Sequence, residues 1–211
     1  MMFNRLAAVA AAAVVASTLM AAPASAHGKP LKTKSLAAVL TADKSGFDRN
    51  GHDYDILAAA VGAVLKAKPS SPVGVLADGT KPVTAFIPND LAFRRLVADI
   101  TDSKRLPGEK KTFTAVAGLG IDTVESVLLY HVVPGATITR KAALKSDGAR
   151  LTTAAGSTIK VNVYGYWHKR IALIDADRSD RNPCINRFDI NKGNRQIAHG
   201  IDRVLRPIDL P

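Results

Sequence analysis

Apolar residues recur at two different periods along this chain, and the change of period divides it. Between residues 55 and 145 the spacing is mostly helical. In "DILAAAVGAVLKAK", Ile56, Leu57, Ala60, Val61, Val64 and Leu65 share one face. Lys66 and Lys68 complement the C-terminal end of that helix, Pro69 and Pro72 terminate it, and Asp53 or Asp55 is the expected N-cap. After a turn at Asp78-Gly79, "PVTAFIP" predicts a short strand closed by Pro88. Asn89 then caps a helix that buries Ala92, Phe93, Leu96 and Val97 and turns Arg94 and Arg95 outward. The run 108–120 predicts a helix burying Phe113, Val116 and Leu119. Asp122 and Glu125 have the spacing of a capping box ahead of Val124, Val127 and Leu128. "LLYHVVPG" switches to extended structure, and a helical turn over 140–145 leads to Gly148.

Beyond Gly148 the period falls to two. "ARLTTAAG", "STIKVNVYGYW", "KRIALIDA" and "RQIAHGIDRVLRPI" read as strands joined by glycine or aspartate turns. Helices first and strands later, without regular alternation, predict an α+β domain or a helix-decorated β-sandwich. No internal repeat is present.

The two ends and the cysteine count refine this picture. Residues 1–5 are positively charged, an apolar run rich in alanine and valine follows, and Pro23-Ala24-Ser25-Ala26 closes it. That is the layout of a secretory signal peptide over residues 1–26. The run is shorter than the roughly 20 residues of a spanning helix and lacks a basic flank, so no membrane span is expected after cleavage. Residues 27–54 read as a polar N-terminal arm with one short apolar run, Leu36–Leu40, and residues 55–211 as one domain. The last five residues carry no hydrophobic tail, which fits a product released or held by non-covalent contacts. Cys184 is the only cysteine, so no intrachain disulfide forms, and it is expected as a small buried hydrophobe.

Charge narrows the partner. Lys and Arg number 29 against 18 Asp and Glu, a net charge of +11, and only Arg5 lies in the leader. The excess is spread along the chain, aromatics are few, and no dense basic tract occurs. Nucleic-acid binders concentrate charge on one element beside stacking aromatics, so nucleic acid is not the expected partner. A diffuse positive field instead favours salt-sensitive attraction to cell-wall polymers, acidic polysaccharides or lipid headgroups, or simply solubility.

Candidate chemistry is sparse. "FDRNGHDYD" (47–55) offers alternating oxygens, and Asp48 and Asn50 fit a calcium loop, but His52 fills the third ligand place and Gly51 comes early. In "DADRSDRN" (175–182), Arg178 and Arg181 would repel a cation, and a solvated, self-paired loop is expected. His27, His52, His131, His168 and His199 show no paired metal-ligand spacing. A hydrolytic triad of His131, His199 and Asp202 with a serine or threonine lacks a glycine-flanked nucleophile. No catalytic residue, metal or cofactor is therefore expected. "YGYWHKR" (164–170) stands apart. Trp167, the only tryptophan, sits among two tyrosines, His168, Lys169 and Arg170. Such a set suits sugar rings and acidic groups, or else is a strand of core aromatics with a basic hairpin end.

Three segments resemble the motifs of fasciclin-like domains. "TAFIPNDLAFRRL" (84–96), with Thr84, Asn89 and Phe93, is similar to the first signature. "LLYHVVPG" (128–135) resembles the central tyrosine-histidine segment. "IAHGIDRVLRP" (197–207), with His199 and Asp202, is similar to the second signature. Their order and spacing frame nearly the whole mature chain. Two departures stand out. Asn194 is followed by Arg195 and Gln196 where the family places an Asn-Gly turn, and 177–192 is long and polar, as a local insertion would be.

The resemblance implies a wedge-shaped β-sandwich with helices packed along one edge and a secreted, single-domain bacterial adhesion module without catalytic activity. It implies structural roles for Thr84, Asn89, Phe93, His199 and Asp202. Tyr130 and His131 lie in the segment linked to partner binding, although His131 is also expected to be buried beside the Asn89 turn with its nitrogens bonded. The expected product is a monomer that binds an extracellular protein, an acidic polysaccharide or a cell-wall polymer. The alternatives are a small-ligand or carbohydrate binder using 164–170 and, behind it, a secreted hydrolase.

Overall fold

A computed structural model describes residues 30–208. The signal-peptide reading, His27 and the final three residues lie outside the described residues. The described chain forms two sheets and six α-helices. The larger sheet has strand order β2-β1-β7-β6, built from β1 (Val83–Pro88), β2 (Val132–Pro134), β6 (Ile185–Ile190) and β7 (Gln196–Ile201). The smaller has order β3-β4-β5, from β3 (Arg150–Thr152), β4 (Thr158–Tyr164) and β5 (Arg170–Ile174). The helices are α1 (Leu36–Leu40), α2 (Asp55–Ala67), α3 (Asp90–Ile100), α4 (Glu109–Gly118), α5 (Ile121–Tyr130) and α6 (Arg140–Ala143).

Every residue of β1 and of β7 is buried, because that sheet is covered on both faces. Val83, Ala85 and Ile87 alternate into a core shared with α2, α3, α4 and α5. Phe86 points the other way, into a second core with Ile159, Val161, Ile171 and Leu173 of the smaller sheet. A strand buried on both sides has no polar face, which is why "TAFIP" shows no alternation and its one polar residue, Thr84, is hydrogen-bonded. β4 does alternate, with Ile159 and Val161 inward and Thr158, Lys160 and Asn162 in solvent. The smaller sheet thus has a wet outer face.

The three motif segments are neighbours in the larger sheet. β1 pairs parallel with β7, placing Phe86 opposite His199, and antiparallel with β2, placing Ala85 opposite Val132. Parallel strands need a long crossover, and α3, α4, α5, α6 and the whole smaller sheet lie in the connection between β1 and β7.

Several local expectations need correction. Residues 31–54 are not a loose arm, since compact packing begins at Leu31. Leu36 is buried, its N–H bonds Gln196 Oε1 at 2.7 Å, and Lys34 N–H bonds Asn194 Oδ1 at 2.9 Å. Asn194 and Gln196, at the place where the family's Asn-Gly turn is altered, therefore hold this segment. Gly79 lets it lie close, because a Cβ there would meet Thr33 O at 1.8 Å. The α2 cap is not Asp53 or Asp55. Asp90 Oδ1, from the start of α3, accepts the Ile56 N–H at 3.0 Å. Asp122 and Glu125 form no capping box, because α5 starts after Gly120 and both carboxylates pair with Lys68. Leu119 is exposed, since it caps α4 rather than continuing its buried face. The polar 177–192 stretch contains β6, a strand held by pairing to β7 and irregular in register, with Asp189 and Asn191 in the left-handed region. Finally, the ion pairs of 175–182 are not made with the loop's own Arg178 and Arg181. Asp177 and Asp180 pair with Arg206 and Arg203, which also reach Asp99.

Candidate functional site

The tyrosine-histidine segment ends α5 and enters β2, with Tyr130, His131, Val132 and Val133 all buried. Tyr130 donates its hydroxyl to Thr158 O at 3.2 Å, and burial pushes its pKa up to about 12. His131 is the C-cap of α5. Its Nδ1 lies 2.7 Å from Val127 O and its Nε2 accepts the Leu205 N–H at 2.9 Å. A carbonyl can only accept and an amide N–H can only donate, so this geometry selects the neutral ring protonated on Nδ1. Burial, opposed by the Val127 bond, holds its pKa down at about 4. The ring thus clips the α5 terminus to the chain after β7, buried with both nitrogens bonded.

His199 follows the same logic with the opposite tautomer. Its Nδ1 accepts the Asp189 N–H at 3.2 Å, and its Nε2 donates to Ile138 O at 2.8 Å. Burial lowers its pKa too. Neither histidine keeps a ring nitrogen free to act as a base or a ligand. Asp202 Oδ1 accepts the Cys184 N–H at 2.7 Å, which leaves the imagined triad without working parts. Thr84 Oγ1 bonds Ala136 O and receives the Ile138 N–H, Asn89 Oδ1 caps α3 through the Ala92 N–H, and Phe93 is core. Cys184 is buried and free.

The other candidate residues form a different place altogether. The β4–β5 hairpin carries Tyr166 and Trp167 at its tip, each 86 % exposed, with their rings in edge contact at 5.0 Å. His168, Lys169 and Arg170 are exposed beside them. Gly165 makes the turn possible, since its φ is +90° and a Cβ there would meet His168 O at 2.6 Å. The Arg170 guanidinium lies 6.0 Å from the Tyr164 ring centroid. These aromatics are therefore not core, and six candidate residues divide into two buried and four exposed.

The hairpin continues a basic face that the sequence reading did not identify. Arg150 of β3 and Lys160 of β4 stand directly opposite each other, both exposed, and Tyr164 stands opposite Arg170 further along. Like charges placed opposite on a sheet repel by a few tenths to about 1 kcal/mol. Among the described residues, Arg150, Lys160, Lys169 and Arg170 form no ion pair, while nearby Asp177 and Asp180 are already paired with Arg206. Alternation in "STIKVNVY" signalled the outward Lys160, but its pairing with Arg150 required the register.

A second feature is an apolar groove of about 590 Å³ between α3, α4, α5 and the last described residues, with Ile100, Leu119 and Ile208 on its rim. No single described helix is long and apolar enough to cross a membrane.

Comparison with known proteins agrees with this architecture. The chain matches the family model described as the Fasciclin domain over residues 61–207. Among solved structures it is similar to a FAS1 domain pair from the insect cell adhesion molecule fasciclin I, with a TM-score of 0.56 and 17% identity. That likeness covers 83% of this chain and 51% of the other, so the chain spans about half the length of the pair. No curated protein matches by sequence. With its three motif strands side by side in one sheet and the family model spanning 61–207, the chain belongs to the fasciclin domain family.

Proposed function

We propose that this protein is an exported, monomeric, non-catalytic adhesion module that holds an acidic polysaccharide or cell-wall polymer on the outer face of the β3-β4-β5 sheet and its hairpin. Fasciclin domains are known from cell adhesion proteins, and the neighbouring structure comes from one. The observation that carries the reading is the exposed Arg150–Lys160 pair, which forms no ion pair among the described residues, on the sheet whose hairpin presents Lys169, Arg170 and two exposed aromatic rings. Cations at strand spacing suit a chain of repeated carboxylates or phosphates, and exposed aromatic faces suit sugar rings. The buried histidines, with every nitrogen bonded, support a role without catalysis.

Sedimentation of the full chain with cell envelope and with purified acidic polysaccharide across a salt series tests this. A charge-matched unrelated protein sets the non-specific background. Binding that outlasts that background and falls at least about tenfold in Lys160→Gln and Trp167→Ala is expected, since each lost contact is worth about 1–2 kcal/mol. Binding that tracks the control at every salt concentration would remove the polysaccharide reading and point to a protein partner.

A further inference from the structure

Outside the hairpin, the most unusual chemistry in the molecule is a carboxylate cluster where three helices begin. Asp53 lies just ahead of α2, Asp90 is the first residue of α3 and Glu109 the first of α4. They are 9 %, 0 % and 2 % exposed. One oxygen from each lies within 4.8 Å of the others. The surrounding protein satisfies only part of this set. Asp90 Oδ1 takes the Ile56 N–H at 3.0 Å and Glu109 Oε2 takes the Asp48 N–H at 2.6 Å. Asp90 Oδ2, Glu109 Oε1 and both oxygens of Asp53 are buried without a hydrogen-bond donor. No Lys, Arg or His forms an ion pair with any of the three among the described residues. Arg94, one turn along α3 from Asp90, directs its Nε to Pro107 O and acts on Glu109 only at a distance.

Three ionised carboxyls cannot share a dry interior uncompensated. The positive ends of α2, α3 and α4 converge there and offset roughly half a charge each, which leaves a deficit. Asp53 and Asp90 are close enough to share one proton, which would leave Glu109 without a counter-charge, whereas a cation serves all three. Two oxygens bound to one calcium at 2.3–2.6 Å are separated by at most about 5 Å, the span found here. One oxygen from each residue is near enough to the others to share an ion, and all are hard ligands, with no sulfur or imidazole among them. Asp53 also belongs to a second, overlapping group with Asp48 and Asp55, of which Asp48 is exposed. The cluster thus extends from the interior to the surface and gives an ion an entry route.

We propose that Asp53, Asp90 and Glu109 bind a hard divalent cation, calcium in the first place, and that this ion locks the N-termini of α2, α3 and α4 together. The linear spacing of 47–55 hides the site, because two of its three ligands come from residues 90 and 109. His52 has no part in it.

The test uses the full chain stripped with EDTA. Calorimetric titration with calcium chloride, and with magnesium and manganese chlorides in parallel, is expected to show one calcium per chain with a Kd below about 1 mM. The melting temperature is expected to rise with added calcium, as binding to the folded state alone requires. Asp53→Asn is the informative variant, since no donor is lost with its carboxylate. It is expected to melt in EDTA at or above the wild-type temperature and to bind calcium at least tenfold more weakly. Glu109→Gln repeats the measurement from another helix and keeps the test sound if either variant folds poorly. Failure of calcium to bind up to about 10 mM, or an undiminished calcium response in both variants, would overturn the site. Binding of manganese or magnesium in preference to calcium would overturn the choice of ion.

Discussion

The two sheets treat their polar side chains in opposite ways. In the four-stranded sheet and its flanks, Thr84, His131, Gln196 and His199 are buried and satisfy backbone groups that strands and helix ends leave open. In the three-stranded sheet, Arg150, Lys160, Lys169 and Arg170 face water, and none forms an ion pair among the described residues. The first arrangement spends no chemistry on a partner, and the second leaves its chemistry open to one. The family's recognisable motifs here sit apart from the surface proposed to bind, because the motif side chains solve a folding problem.

Substitutions in the two regions should separate stability from binding. The largest effect is expected from His131→Ala, which strands the Leu205 N–H and the Val127 carbonyl in the interior and leaves a void. Denaturant unfolding should show a loss of about 2–4 kcal/mol. A loss under half of that would mean that water or a neighbour replaces the ring. Tyr130→Phe removes only the hydroxyl bond to Thr158 and is expected to cost about 1 kcal/mol by the same measurement. Tyr166→Ala with Trp167→Ala removes two rings that touch mainly each other, and stability should change by less than about 0.5 kcal/mol. The single tryptophan should accordingly emit like indole in water, and a blue-shifted maximum would contradict its exposure.

Protonation gives the comparison a sharper edge. The folded pKa of His131 lies below that of a free imidazole, so the unfolded chain takes up the proton first. The stability that the neutral ring contributes is present above about pH 6.5 and is lost as pH falls through about 4. Proton-detected titration of the imidazoles should find His131 neutral at pH 5.5 (the lower edge of the ordinary histidine range, about 6.5 ± 1). An ordinary midpoint near 6.5 would show that the ring is wet.

How far the sequence foretold this depends on distance along the chain. Helix faces and strand periods are local, so α2, α3, β1, β4, β5 and β7 were legible, as were the burial of Cys184 and the Asn89 cap. β6 was not, because "INRFDI" has no alternation of its own and is a strand only through its pairing with β7. The packing of residues 31–54 escaped notice because it depends on Asn194 and Gln196, 160 residues from their partners. The α2 cap was misread for the same reason, since it comes from Asp90. Trp167 was named as a candidate, but whether "YGYW" faced the core or water turned on the Gly165 turn, which composition alone does not settle.

The most direct test of the central claim, that folding and adhesion reside in different sheets, is to measure both properties in one protein. Tyr166→Ala/Trp167→Ala/Lys160→Gln should be melted and sedimented with acidic polysaccharide beside the wild type. An unchanged melting temperature with binding reduced to the level of a charge-matched control is the predicted result. Full binding by that variant, or binding lost only in step with unfolding, would contradict the account.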